Sequence, residues 1–276
     1  TRCLVAKLDG TIIGSGFAGC ANKNITSWKD SILQVRMAVI EACAKADILP
    51  GEIVSAHYGL GGIYNEACKQ KWKAALEDLS PEASIKVEND VFLAIPAAQQ
   101  EIGIAVVSGS GGNIGAITPK RKFHLNGIVN FHSAQLGRKA LQQAMVQLQA
   151  SRDVPPFASA LLDLSRLDAN ELRFALRTRR KELIQELSPF VIELYRQGHN
   201  EARGIVHSWL DVVSDDIRKF QTDHKLEYSP VCFGGATFAS MGSLIDSRLS
   251  VNGKVFVASV SLTEGAIKAA ARCITC

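Results

Sequence analysis

The chain has 276 residues, 47% of them hydrophobic, and 31 Lys plus Arg against 27 Asp plus Glu give a formal net charge of +4. That is apolar material for one large or two medium cores, and the charge is spread out: the densest basic run, RTRRKEL from Arg177, is broken by Glu182, which argues against a nucleic-acid partner. No apolar stretch has the length of a membrane span and no signal peptide opens the chain, so a soluble cytosolic protein without a membrane partner is expected.

In chain order, the apolar arms of TRCLVAKLDGTIIGSGFAG, joined at Asp9-Gly10, predict a β-hairpin. In SWKDSILQVRMAVIEACAKAD, Ser27 and Asp30 stand at capping-box spacing and Ile32, Val35, Val39 and Cys43 share one face, which predicts an amphipathic helix. EIVSAHYGLGG reads as a buried strand ending at Gly61-Gly62. Asn65 to Leu79 reads as a helix turning Cys68, Trp72, Ala75 and Leu79 inward, and SIKVEND as a strand running into a short helix.

The order then repeats. GIAVVSG and NIGAIT are hairpin arms, with a third arm near Phe123 to Ile128, and SAQLGRKALQQAMVQLQA is a helix. SPVCFGG is a strand ending at Gly234-Gly235, followed by a helix from about Phe238 to Leu249, the strand KVFVASV and the helix LTEGAIKAAARCI. Between them, residues 155–220 read as an all-helical insertion, with a capping pair at Asp168 and Glu171, a break at Ser188-Pro189 and a core stripe of Ile205, Trp209, Val213, Ile217 and Phe220. This is an internal duplication. The halves differ in one respect: the second starts on a strand and a Gly/Ser turn before its next arm, whereas the first starts directly on an arm, so the first half is expected to lack its leading strand. The chain also opens on Thr1 rather than Met, which leads us to expect processing or truncation.

Seven cysteines, an odd number among apolar neighbours, fit reduced thiols better than a disulfide framework. Cys273 and Cys276 in CITC lack the second pair a zinc site requires, and His57, His124 and His132 show no ligand spacing, so no metal site is expected.

Three stretches could carry chemistry. VSGSGGNIGAI has neither dinucleotide-fingerprint spacing nor a following Gly-Lys-Ser/Thr, and it resumes as a strand. This leaves two readings open, a plain hairpin or a backbone nest for an anion built from Gly109, Ser110, Gly111 and Gly112. CFGGATFAS places Gly234 and Gly235 where a strand turns into a helix, as a tight turn or as a close approach for a ligand. VENDVFLAI sets Asn89 and Asp90 at a strand end, where Asp90 is a held but exposed carboxylate, either a helix N-cap or a general base.

Taken in order, these stretches resemble the acetate-kinase, sugar-kinase and actin-like ATPase superfamily, and within it the N-acetylglucosamine kinase group related to the BadF/BadG/BcrA/BcrD ATPases. GFAGCANKN resembles that family's sugar-side loop, YGLGG its strand ending in glycine, VENDV its Asn-Asp, and VVSGSGGNIG its second phosphate loop. LGRKAL resembles its Ile-Gly-Arg-Glu-Ala-Leu helix, CFGGATFAS its adenosine loop, and LTEGAIKAA its closing helix. The resemblance implies a duplicated ribonuclease H-like α/β fold in two lobes, a sugar-side lobe over residues 1–100 and a nucleotide-side lobe over 101–276, with the first strand missing. It implies ATP and Mg²⁺ in the cleft and phosphoryl transfer to a hydroxyl of an amino sugar such as N-acetylglucosamine, with Asp90 taking the proton. Asn22, Asn24 and Asn89 would hold and orient the sugar. Gly109, Ser110, Gly111 and Gly112 would cradle phosphate, while Gly234, Gly235 and Ser240 would line the adenosine side. A homodimer is compatible with it.

Two departures accompany the resemblance. The family's first phosphate loop would lie ahead of Arg2, with Thr1 its last residue. The family's Gly-Asp-Glu-Gly-Ser-Gly segment reads here as IVNFHS, with Asn130 in place of a sugar-contacting carboxylate. A catalytically degenerate sugar- or nucleotide-binding regulator is therefore a second expectation. A BadF-type ATPase activator, hinted at only by CITC, is a third.

Overall fold

The computed structural model describes residues 1–109, 111–125, 128–178 and 181–272, so that Ser110 and the CITC cysteines lie outside the described residues. The first hairpin forms as expected: β1 (Arg2–Ala6) pairs antiparallel with β2 (Ile12–Phe17), and the Thr11 N–H donates to Asp9 Oδ1 (2.8 Å) in the turn. α1 (Trp28–Lys45) starts at Ser27, whose Oγ accepts from the Asp30 N–H (3.1 Å). It presses Val35, Ala38, Val39 and Ala42 inward against β2. The strand and helix backbones come so close that a Cβ on Gly16 would stand 2.0 Å from the Ala38 carbonyl oxygen, so this position accepts only glycine.

β3 (Ser55–Leu60) runs parallel to β4 (Ser84–Asn89), and α2 (Glu66–Leu76) crosses between them. The inward stripe of α2 passes through Trp72 and Leu76, both fully buried, with Leu79 beyond the helix end and Ala75 only half-buried. Leu76 lies one turn on from Trp72 and has more apolar area to hide than Ala75, so it takes the core position. Trp72 also meets Trp28 edge-on, with centroids 4.7 Å apart. Trp72→Ala is expected to destabilise the protein by about 3–5 kcal/mol, as measured by urea unfolding, because the cavity left behind cannot collapse onto a strand-helix layer.

After β4 the chain makes a 3₁₀ turn over Asp90–Leu93 into the short α3 (Ala94–Ala97), and the second half begins. Its strands β5 (Gly103–Ser108), β6 (Gly112–Ile117) and β7 (Lys122–His124) form a meander, followed by α4 (Ser133–Ala150). The insertion is all-helical: α5 (Pro156–Ser165), α6 (Ala169–Thr178), α7 (Lys181–Glu186), α8 (Ser188–Arg196) and α9 (Asn200–His224). The break falls at Leu187, one residue ahead of Ser188-Pro189, which open α8, and the Asp168 and Glu171 side chains cap α6 reciprocally. β8 (Val231–Gly234) and β9 (Val255–Val257) complete a five-stranded sheet ordered β7-β6-β5-β8-β9. The single helix expected over Phe238 to Leu249 is instead two, α10 (Ala236–Met241) and α11 (Leu244–Arg248), separated at Gly242, where φ is +54°. A residue in that left-handed region ends a helix.

The duplication is visible in the sheets. In the second half β5 lies between antiparallel β6 and parallel β8. In the first half β2-β1 and β3-β4 are two separate pairs with no strand between them among the described residues. The closing α12 (Leu262–Arg272) leaves the second half and packs on α3, β1 and β3, joining the halves. No helix among the described residues is long and apolar enough to cross a membrane.

Candidate active site

The functional side chains gather where the strands of both halves end. The Asn22 side chain accepts from the Asn24 N–H (3.0 Å), which folds the loop after β2 into an Asx turn. This loop lies against Gly61-Gly62 at the end of β3. A Cβ on Gly61 would stand 3.1 Å from Asn22 Nδ2 and 3.6 Å from Asp90 Oδ2, and one on Gly62 would stand 2.9 Å from both Asn22 Oδ1 and Asn24 Nδ2. Asn24 is further anchored by a hydrogen bond from its Nδ2 to the Tyr64 hydroxyl. Asn22, Asn24 and Asp90, far apart in the chain, thus share one wall.

Asp90 departs from expectation in one respect. As a residue it is only half-buried, but its carboxyl is enclosed rather than exposed, and that loss of water raises its pKa above the ordinary aspartate value. The N–H groups of Val91 and of Asp90 itself oppose the rise. Asn89 is 3% exposed, and its polar atoms serve the protein: Nδ2 donates to the Ile63 carbonyl (3.0 Å), while Oδ1 accepts from the Val91 N–H (3.1 Å) and from Asn113 Nδ2 (3.2 Å). It holds the Gly61-Gly62 turn, the Asp90 turn and β6 together. Asn113 is the partner that sequence reading missed; its position opposite Val107 on β6 could have marked it as a side chain at the strand ends. Replacing Asn113 with alanine removes one bond to Asn89, and a loss of about 1 kcal/mol of stability is expected in denaturant titration.

The glycine turns at the ends of β5 and β8 are neighbours. Gly235, with φ +94°, adopts a backbone conformation that L side chains rarely enter, and a Cβ there would stand 2.5 Å from the Ser108 carbonyl oxygen. Gly109 and Gly111 face open space, since a Cβ on either would meet no heavy atom of the described residues within 4 Å, although the Gly109 N–H donates back to the Gly111 carbonyl within the turn (2.9 Å). Gly112 and Gly234 are packing positions: a Cβ would meet the Phe131 carbonyl oxygen at 2.0 Å and Leu262 Cδ2 at 2.7 Å respectively. Ser240 donates its hydroxyl to the Thr237 carbonyl (2.8 Å) within α10. The Ser108 hydroxyl, buried at the end of β5, has no partner among the described residues.

The IVNFHS segment brings in a carboxylate from elsewhere. The Asn130 N–H and Nδ2 donate to the two Asp216 carboxylate oxygens of α9 at 2.5 and 2.7 Å. Beside the site, Glu88 of β4 accepts from Lys122 of β7 (2.9 Å) and meets His57 Nε2 (2.8 Å), tying the halves together. No cluster of three or more His, Cys, Asp or Glu placed to hold a metal occurs among the described residues.

The chain has a duplicated, two-lobed α/β fold that it shares with solved structures of sugar kinases. Among solved structures with this fold, a putative N-acetylglucosamine kinase from Porphyromonas gingivalis superposes with a TM-score of 0.71 at 20% identity, over 98% of this chain and 94% of that one. A putative N-acetylglucosamine kinase from Chromobacterium violaceum gives 0.68 at 18% identity, over 96% and 93%. A ROK family glucokinase from Streptomyces griseus, in complex with glucose and AMPPNP, gives 0.62 at 14% identity, over 97% and 93%. No protein-family model and no curated protein matches the sequence.

Proposed function

We propose that this protein is an ATP-dependent sugar kinase acting on an amino sugar, with N-acetylglucosamine the first substrate to test. The observation that carries the reading is the convergence of Asn22, Asn24 and Asp90 on one wall at Gly61-Gly62, linked to the glycine turns of β5 and β8 through the Asn89–Asn113 bond and the packing of Gly234 on Ala94. In this reading residues 1–100 form the sugar-side lobe and 101–276 the nucleotide-side lobe.

Asn22 and Asn24 offer amide donors and acceptors suited to sugar hydroxyls, and the Asx turn fixes their orientation before binding. Asp90, ionised, accepts the proton of the attacking hydroxyl; its enclosure keeps water from competing for the carboxylate. Asn89 acts through its neighbours, setting the turn that aims Asp90. Gly109 and Gly111 fit a phosphate chain that lies against open backbone, with Gly235 alongside. ATP supplies the phosphoryl group, and Mg²⁺, which keeps mostly water and phosphate oxygens as ligands, neutralises its charge.

Sugar-dependent ADP release in a coupled assay, with N-acetylglucosamine, glucose and glucosamine compared, tests the reading. Turnover with at least one sugar is expected; the absence of turnover with all three would refute it. A second reading, a sugar-binding regulator without catalysis, draws on Asn130 standing where the family has a carboxylate and being held by Asp216. Sugar binding without ADP release selects it.

A further inference from the structure

Two nucleophilic side chains 45 residues apart in the chain meet beside the sugar-side loop: the Lys23 ammonium donates to Cys68 Sγ at 3.1 Å. Lys23 lies between Asn22 and Asn24, on the loop that folds over Gly61-Gly62. Cys68 comes from the first turn of α2, where Asn65 caps the helix by accepting the Cys68 N–H at its Oδ1 (2.9 Å), and its side chain is half-buried rather than sealed.

Both partners are held in place before any reaction. Lys23 Nζ lies 5.1 Å from the centre of the Tyr64 ring, and the Tyr64 hydroxyl is bound in turn by Asn24 Nδ2, so the ring braces the loop on either side of the lysine. The surroundings also set this sulfur apart from others in the chain. The hydrogen bond from Lys23, with the N–H groups of Tyr64 and Asn65 and the ammonium charge, holds the Cys68 thiol below its ordinary value against its partial burial, whereas burial pushes Cys3 and Cys232 up to about 12. A thiolate reacts with peroxides, and a primary amine at contact distance gives the oxidised sulfur a group to condense with.

We propose that Cys68 and Lys23 form a peroxide-responsive modification site, whose oxidised state is a sulfenamide crosslink between the two side chains that pins the 22–24 loop to α2. In the first step the thiolate attacks a hydroperoxide: an S–O bond forms, the O–O bond breaks, and the departing hydroxide or alkoxide takes a proton from solvent. Sulfur loses two electrons to the peroxide and becomes a sulfenic acid. In the second step Lys23 releases one proton to solvent and its nitrogen attacks the sulfur; the N–S bond forms, the S–O bond breaks, and the hydroxide leaves as water with a second proton from the nitrogen. A dithiol reverses the crosslink, returning amine and thiol as it becomes a disulfide. The inference is independent of the kinase reading, and its test does not use activity.

The test treats the protein with stoichiometric hydrogen peroxide, digests it without reductant and maps the peptides by mass spectrometry, with the sulfenic-acid probe dimedone in a parallel sample. A peptide joining residue 23 to residue 68, lighter by two hydrogens than its parts and split by dithiothreitol, is expected. Lys23→Arg keeps the positive charge beside the sulfur but removes the amine, so the crosslink should vanish and dimedone labelling of Cys68 should rise by roughly tenfold. Backbone amide exchange over residues 22–26 should slow by roughly tenfold in the crosslinked protein and recover with dithiothreitol. Cys68 staying reduced while Cys3 or the exposed Cys20 is oxidised, or dimedone labelling indifferent to Lys23→Arg, would overturn the proposal. A disulfide between Cys20 and Cys68 in place of the crosslink would overturn it in favour of a thiol pair, and unchanged exchange over residues 22–26 would overturn the pinning of the loop.

Discussion

Asp90→Asn is expected to lower the kcat of sugar phosphorylation by about 10²–10⁴, the range that a positioned general base contributes, while leaving sugar affinity within a few-fold in calorimetry. The asparagine keeps the size of the side chain beside Gly61 and Asn22, so the sugar wall survives while the proton acceptor is lost. The pH profile adds a second readout. A base works only when ionised, and burial raises the pKa of Asp90, so the acid limb of kcat/KM should lie above the ordinary aspartate range of about 4. The residual activity of the variant should lack that limb. Stability should move in the opposite direction. A carboxyl whose folded pKa is raised opposes folding at pH values above that pKa, so at pH 7 the variant should unfold at equal or higher urea concentration than the parent. A variant that lost stability and activity together would make Asp90 a structural part of the turn that Asn89 caps instead of a base.

The parts of this arrangement that could be read from the sequence were those carried by local chemistry. Asp9-Gly10 sets its hairpin, Ser27 caps its helix, and the repeated strand-turn order announces two matching halves because each unit is built from neighbours in the chain. Asp90 was legible as a carboxylate at a strand end, and Asn22 and Asn24 only through the resemblance of GFAGCANKN to a sugar-side loop, although their meeting depends on tertiary packing. What stayed hidden depends on partners distant in the chain. Asn113 matters through Asn89, and Asp216 reaches Asn130 across 86 residues. The glycines of GSGGNIG look equivalent in sequence, yet Gly109 and Gly111 face open space while Gly112 packs under Phe131, a difference set by the segment that crosses β6. Gly242 splitting the helix after β8 was missed because a lone glycine within a helical pattern is usually tolerated.

The network most remote from sequence reading makes the other large prediction. Glu88, 4% exposed, is surrounded by His57 Nε2 at 2.8 Å, Lys122 Nζ at 2.9 Å and Lys86 Nζ at 3.8 Å. Burial alone would raise its pKa, but the hydrogen bond with His57 and the charges of His57, Lys122 and Lys86 outweigh it and hold the carboxyl at about 2, against 4.5 for a free glutamate. A depressed folded pKa contributes stability that is complete above about 4.5 and is lost as pH falls toward 2; the difference amounts to about 3 kcal/mol at neutral pH. Glu88→Gln should therefore cost about 3 kcal/mol at pH 7, and the gap to the parent should narrow steadily below pH 4.5 in urea titrations run across the acid range. Lys122→Met should cost less, because Lys122 retains 36% of its side-chain exposure and gives up less on losing its partner, whereas His57 is sealed in. Since Glu88 lies on β4 and Lys122 on β7, the two substitutions also loosen one half against the other. A Glu88→Gln penalty that stayed constant from pH 7 to pH 3 would assign the loss to packing and leave the charge network with no part in it.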